Sequence, residues 1–312
     1  MRGGGGREPG FVLNVRKPET WTSHDAVSRV RRILRLRQVG HTGTLDPFAG
    51  GVLLCCVGRA TKLSSYLMDL TKEYAGTMLF GRRTASGDIT GEILHEEAPE
   101  MPAGPALAEA AGRLEGEILQ VPPMVSALKH QGVRLYRLAR RGIVVERPAR
   151  KVFVERFEIL GASGREVEFR VRCARGTYVR TLAEDFAAQF GLSACVSRLC
   201  RTRVGRFRVE DAIALEGEVP AEDLLARAIP MPEALAHLPS WTVPAFWMRK
   251  LRDGQAPPWT VLEIDRPARD GDVGRLIGAS GELIGLGRAV QVPGRADRDE
   301  RDALGLEVLR VL

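Results

Sequence analysis

The sequence predicts an α+β fold with a small β-barrel of about 70 residues at its C-terminal end. Three observations carry this. Strand-like and helix-like segments alternate irregularly, not as repeated strand–helix–strand units. "EVEFRVRC" (166–173) alternates apolar and charged residues without interruption, the period of a strand. "LPSWTVPAF" marks a boundary near residue 240, where the basic excess ends: from Trp241 onward there are 11 basic and 11 acidic residues. The expected organisation is a leader over 1–9, a core domain over 10–240 and a small domain over 241–312.

Taken in order, "MRGGGGREPG" has no apolar core and reads as a flexible leader, not a secretory signal. "SHDAVSRVRRILRLRQVG" is an amphipathic helix, with Ser23 suited to the N-cap, Asp25 in the first turn, Val27, Val30 and Leu34 on one face, and Gly40 just past the end. "GVLLCCVG" is a continuous apolar run, the mark of a strand buried on both faces. "ATKLSSYLMDL" reads as a helix capped by Thr61, and "KEYAGTMLFG" as a strand with Tyr74, Gly76, Met78 and Phe80 on one face. Residues 84–104 read as loop, and "PALAEAAGRLEG" as a helix ending at Gly116.

Between Val121 and Lys151, eight basic residues, among them Lys129, Arg140 and Arg141, stand against the single acid Glu146, with Tyr136 interleaved. That mixture suits a nucleic-acid backbone plus stacking, or a solvated loop. After "ARG" the strand resumes, with Tyr178 and Arg180 two apart on one face. Thr181 and Glu184 then read as a capping box for "TLAEDFAAQFG", with Leu182, Phe186 and Phe190 inward and Gly191 as the stop. Beyond 240, "GRLIGASGELIGLGRAV" reads as a hairpin turning at 279–281.

The composition narrows the classes of function. With 44% hydrophobic and 27% charged residues, the 312-residue chain can build a packed core. It holds no apolar run of membrane-spanning length, so the cytoplasm is the expected location. Five cysteines without a C-x-x-C pair read as buried thiols, not a metal site. A net charge of +7 favours a polyanionic partner.

Within that basic chain, "GHTGTLDPFAGG" (40–51) poses a chemical question. Asp46 is the only carboxylate between Ala26 and Met68, a window holding seven Arg or Lys residues. The following proline pushes it toward extended backbone, and four glycines let other chain segments come close. A hydrolytic glycosidase would want two carboxylates, and His41 alone makes too thin a cluster for a metal. A lone acid beside an arginine that lowers its pKa suits nucleophilic catalysis; the plainer alternative is a turn cap.

"GHTGTLDPFAGGVLLCCVGRATKL" resembles the signature of the TruB family of tRNA pseudouridine synthases. "KEYAGTMLFGRRTASGD", "PPMVSALKHQGVRLYRLARRG" and "ARGTYVRTLAEDFAAQFG" match in the same order, so the likeness covers roughly residues 10 to 208. It implies a mixed, largely antiparallel sheet flanked by helices, with a PUA-like C-terminal domain. The implied reaction is isomerisation of uridine 55 in the tRNA T-loop to pseudouridine, with the target base flipped out of its stack. The resemblance also implies roles for individual residues. Asp46 is the nucleophile or the initiating base, Arg180 its partner, and Tyr74 the residue against the base. Tyr178 and Leu199 line the pocket, and His41 fills the space that the base leaves. Separately, the basic pattern of 121–151 makes Lys129, Arg140 and Arg141 the expected RNA contacts. No cofactor, no metal, no membrane and no protein partner is implied, and a monomer is expected. Arg16, Ala85 and Cys200 depart from the family's usual residues.

Overall fold

The computed structural model describes residues 10–292 and 304–312. The expected leader, 1–9, lies outside the described residues. The chain divides into two compact units. One holds residues 13–55 and 64–226; the other holds the described residues of 1–12, 56–63 and 227–312.

The chain opens with β1 (Gly10–Lys17), α1 (Ser23–Leu34), β2 (Val39–His41) and β3 (Gly50–Gly58). Every residue of β3 is buried, as its unbroken apolar run predicts. A 3₁₀ turn (Arg59–Leu63) and the short α2 (Ser64–Met68) replace the single expected helix, and the Thr61 hydroxyl donates to the Gly58 carbonyl at 2.8 Å. Next come β4 (Lys72–Phe80) and a short hairpin of β5 (Arg82–Thr84) and β6 (Ile93–Glu96), where only loop was expected. Helix α3 (Gly104–Gly112) stops four residues short of Gly116, which instead opens β7 (Gly116–Gln120).

The basic segment folds into a small hairpin, β8 (Lys129–His130) with β9 (Val133–Arg134), followed by one turn of helix, α4 (Leu135–Ala139). The long strands β10 (Arg150–Ser163) and β11 (Glu166–Cys173), helix α5 (Val179–Ala188) and strand β12 (Ala194–Val204) complete the frame.

The main sheet runs β1-β3-β12-β4-β11-β10-β7. From β12 to β7 all neighbours are antiparallel, and β3 pairs with β12 in parallel. In β11, Val167, Phe169, Val171 and Cys173 are buried and the charged residues between them are exposed, as the period-two pattern requires. These side chains join Met78, Phe80, Leu182 and Phe186 in one core. Phe186 meets Phe80 and Phe157 edge-on at 6.0 and 5.4 Å between ring centres. Such a pair adds about 0.5–1.5 kcal/mol beyond simple burial.

Two helix starts differ from expectation. Thr22, not Ser23, caps α1: its hydroxyl accepts from the Asp25 amide at 3.1 Å, and the Asp25 carboxylate accepts from the Thr22 amide at 2.8 Å. The helix ends at Leu34 with Arg35 left-handed, and Gly40 belongs to β2. Helix α5 begins at Val179 with Tyr178 as its N-cap, so Tyr178 and Arg180 do not share a strand face and no Thr181–Glu184 capping box forms. The cause is Gln120 of β7. Its side chain accepts from the Tyr178 amide at 3.0 Å and donates to the Tyr178 carbonyl at 3.3 Å, fixing the helix entry there.

In the other unit, Glu263–Ile264, Ser240–Thr242, Val273–Ile277, Leu283–Gln291 and Leu304–Val311 form a five-stranded, largely antiparallel sheet in that order. The expected hairpin turn lies between Ile277 and Leu283. Trp241 is fully buried and meets Trp259 edge-on at 4.8 Å. Among the described residues, no helix is long and apolar enough to cross a membrane.

Candidate active site

The Asp46 loop is fastened from two sides. Because Thr22 caps α1, the Ser23 hydroxyl is free to accept from the Leu45 amide at 2.8 Å and donate to the Leu45 carbonyl at 3.1 Å. On the other side the Pro47 carbonyl accepts from the Thr20 amide at 2.7 Å and lies 3.4 Å from the buried Lys17 ammonium. Lys17 also donates to the carbonyls of Pro18 and Trp21, a knot that stiffens the chain beneath Asp46. Burial lowers the Lys17 ammonium to about 8, with the negative charge of Asp46 pulling the other way. Gly51 closes the loop at φ +105°, where a Cβ would stand 2.3 Å from the Arg201 carbonyl oxygen. Only glycine fits that approach.

Arg180, in the first turn of α5, meets Asp46 with two nitrogens. Its Nε lies 2.8 Å from Oδ2, and its Nη2 donates to Oδ1 at 3.1 Å. Nη2 also donates to the Val125 carbonyl at 2.9 Å, and Nη1 to the Ser86 carbonyl. A second carboxylate, Asp88, stands 3.6 Å from Nη1 and accepts from the Thr90 amide and hydroxyl. The Arg180 side chain is 2% exposed and that of Asp46 34%, so the cation is sealed and the anion faces open space. Burial nevertheless raises the Asp46 carboxyl above the ordinary value of 3.8, against the pull of Arg180, with Asp88 adding to the rise. This corrects the expectation that Arg180 sets a lowered pKa: removal from water outweighs the guanidinium.

The open space is a cavity of about 440 Å³ lined by Asp46, Tyr74, Tyr178, Leu199, Lys72 and Arg201, among others. Leu199 lies across the β4–β12 pairing from Gly76, whose Cβ would stand 2.5 Å from the Arg198 carbonyl oxygen. Tyr74 faces Arg201 in the same pairing. Burial raises the phenols of Tyr74 and Tyr178, so both stay protonated. The cavity suits a flat, partly polar ring held beside one ionised carboxylate.

Of the residues singled out from sequence, Asp46, Tyr74, Tyr178, Arg180 and Leu199 converge on this cavity. His41 sits in β2 outside its lining; its Nδ1 accepts from the Gly43 amide at 3.3 Å, and burial lowers its pKa. Lys129, Arg140 and Arg141 are exposed on the basic segment, away from the lining, with the Arg140 guanidinium 5.8 Å from the Tyr136 ring centre. That segment reaches the site through Val125, which accepts from Arg180, and Ala127, which lines the cavity. Sequence reading missed Lys17, Lys72, Asp88 and Arg201. Lys72 and Asp88 sit inside a motif quoted above, but only packing shows that all four are buried. Arg16, Ala85 and Cys200 lie outside the lining. A larger cavity, about 680 Å³, is lined by Arg83, Arg147 and Glu184 and contains neither Asp46 nor Tyr74.

The fold and the comparisons with known proteins define a pseudouridine synthase, an isomerase. Residues 31–179 match the family model described as TruB family pseudouridylate synthase (N terminal domain). The chain is 42% identical over 286 residues to the tRNA pseudouridine synthase B of Moorella thermoacetica, covering 89% of this chain and 93% of that one. It is 43% identical over 236 residues to the protein of that name from Bordetella avium, covering 75% and 95%. A chain in the crystal structure of a Cbf5–Nop10–Gar1 complex superposes with a TM-score of 0.74 at 27% identity, over 96% of this chain and 84% of that one. The chain belongs to the TruB family of pseudouridylate synthases.

Proposed function

We propose that the protein isomerises uridine 55 in the T-loop of tRNA to pseudouridine, with Asp46 as the reacting carboxylate. The observation that carries this reading is the two-pronged Asp46–Arg180 pair in the lining of a cavity of about 440 Å³, which has room for a base. The relatives' shared name, tRNA pseudouridine synthase B, supports the substrate. The target nucleotide must leave its stack to reach Asp46, which lines a partly buried cavity. The N1–C1′ bond breaks, the uracil turns, C5 bonds to C1′, C5 loses its proton and N1 gains one. Asp46 serves as nucleophile or initiating base, Arg180 orients it, Tyr74 and Leu199 hold the base, and Tyr178 closes the pocket. His41 fills the place left in the RNA.

The basic segment 121–151 grips phosphates through Lys129, Arg140 and Arg141, which are exposed in a stretch of sequence whose only acid is Glu146. Residues 241–312 form an auxiliary RNA-binding unit of the PUA-like kind. Its helix Met248–Arg252 carries Arg249, Lys250 and Arg252 beside Phe246, which is 71% exposed. Replacing Arg249 and Lys250 with alanine should weaken tRNA binding and leave the saturated rate alone; unchanged affinity would remove this unit from the interface. The protein acts as a monomer in the cytoplasm, a reading that light scattering on the free protein checks.

The deciding experiment follows tritium release from C5-labelled uridine in tRNA transcripts with and without the T-loop target. Release only from transcripts bearing the target supports the reading. Retained binding with no release from either transcript would mark an RNA binder without catalysis.

A further inference from the structure

Two buried cations at the cavity have no carboxylate partner among the described residues. Lys72 is 7% exposed and Arg201 2% exposed, and both line the cavity. The Lys72 ammonium donates to the Met68 carbonyl, and Arg201 donates to the carbonyls of Val52 at 2.7 Å and Gly43 at 3.3 Å. Neither forms an ion pair with Asp or Glu among the described residues. The other two arginines in the lining are neutralised, Arg180 by Asp46 and Asp88 and Arg175 by Asp69. Burying a cation without an anion is costly, so two side by side mark a place built for negative charge that arrives later.

We propose that Lys72 and Arg201 stabilise the negative charge on the detached uracil during isomerisation, resting on the reaction proposed above. When the N1–C1′ bond breaks, its electron pair stays on N1 and spreads over the ring and its two carbonyl oxygens. The charge is cancelled when C5 bonds to C1′, and transfer of a proton off C5 and one onto N1 completes the isomer without any co-reactant. A flipped nucleotide enters base first, so the deepest groups meet the base and not its phosphates. Cations already fixed where charge develops stabilise it without reorganising. Lys72 lies two residues from Tyr74 in β4, Arg201 pairs with Tyr74 across β4 and β12, and both cations are buried.

The state of Lys72 offers an independent readout. Burial lowers its ammonium to about 8; Arg201 from β12 and Arg175 after β11 add to the lowering, while Cys173 from β11 and Asp69 after α2 oppose it. The stabilising charge is therefore present below pH 8 and lost above it.

The test uses full-length protein and T-loop tRNA, measuring tRNA Kd and the single-turnover rate from pH 6 to 9.5. Lys72→Met should slow the single turnover by about 10²–10³-fold, the range for loss of one preorganised charge, with Kd within threefold of the parent. Lys72→Arg should keep most of the rate and move the alkaline decline upward, because arginine stays charged. Circular dichroism confirms that each variant is folded. A parent profile flat to pH 9.5, or a Lys72→Met rate within threefold of the parent, would overturn the inference alone. Weakened Kd with an unchanged rate would also overturn it and assign Lys72 to a phosphate. Equal slowing in both variants with an unmoved alkaline limb would mean that Lys72 only supports the fold, and overturns it too. A parent that releases no tritium would instead sink the reaction itself.

Discussion

Arg180 holds Asp46 with two nitrogens, at 2.8 and 3.1 Å, across 134 residues of sequence, and its third nitrogen faces Asp88 at 3.6 Å. One sealed guanidinium thus serves two carboxylates, of which only Asp46 opens to the cavity. Asp46→Asn keeps the size and removes the charge. The rate should fall by several orders of magnitude, as losses of a nucleophile reach about a million-fold, while tRNA Kd changes little. Single-turnover tritium release and filter binding measure the two; turnover within tenfold of the parent would return Asp46 to a turn cap.

The pH dependence follows from the same pair. Burial raises the Asp46 carboxyl, and the reaction needs it ionised, so activity should decline on acidification with a midpoint above the ordinary 3.8. Arg180 pulls that pKa down, so Arg180→Lys, with its looser contact, should move the acidic limb further up. A limb that stays in place would mean that another group controls it.

Adjacent hydroxyls at the start of α1 do separate jobs. Thr22→Ala removes the helix cap and should cost about 1 kcal/mol of stability with little effect on rate. Ser23→Ala leaves the buried Leu45 amide unpaired and should cost about 1–3 kcal/mol, together with a slower turnover as the Asp46 loop loosens. Urea denaturation and single-turnover rates on both variants separate the two effects; equal rates would show that Ser23 does not hold the loop.

Gly51→Ala should be more damaging than its size suggests. The added methyl must adopt φ +105° and displace the Arg201 backbone, which pairs with Gly51 across β3 and β12. A loss of more than about 1 kcal/mol in urea unfolding is expected; a neutral result would show that the two strands can part freely.

The basic segment is tested by salt. Arg140→Ala with Arg141→Ala should flatten the dependence of log affinity on log salt by about one unit per lost phosphate contact. An unchanged slope would leave these side chains as solvated surface.

By itself the sequence determined what depends on near neighbours. Period-two alternation located β11, an unbroken apolar run located the fully buried β3, and the glycine-lined loop around Asp46 announced an acid presented by a loop and not a helix. Ordered motifs pointed to the family and singled out Asp46, Tyr74 and Arg180, which packing brings to one cavity. Tertiary structure decided what depends on residues far apart in the chain. Gln120 fixes where α5 begins, and so places Arg180 on a helix and not on a strand. With Thr22 as the cap, the Ser23 hydroxyl bonds the Leu45 backbone, a contact across 22 residues of sequence that local capping rules cannot see. The electrostatics were decided in the same way. Whether Asp46 titrates high or low, and whether Lys72 and Arg201 are solvated or stranded without an anion, depends on how much water packing excludes. Burial is a property of the assembled sheet and not of any stretch of sequence.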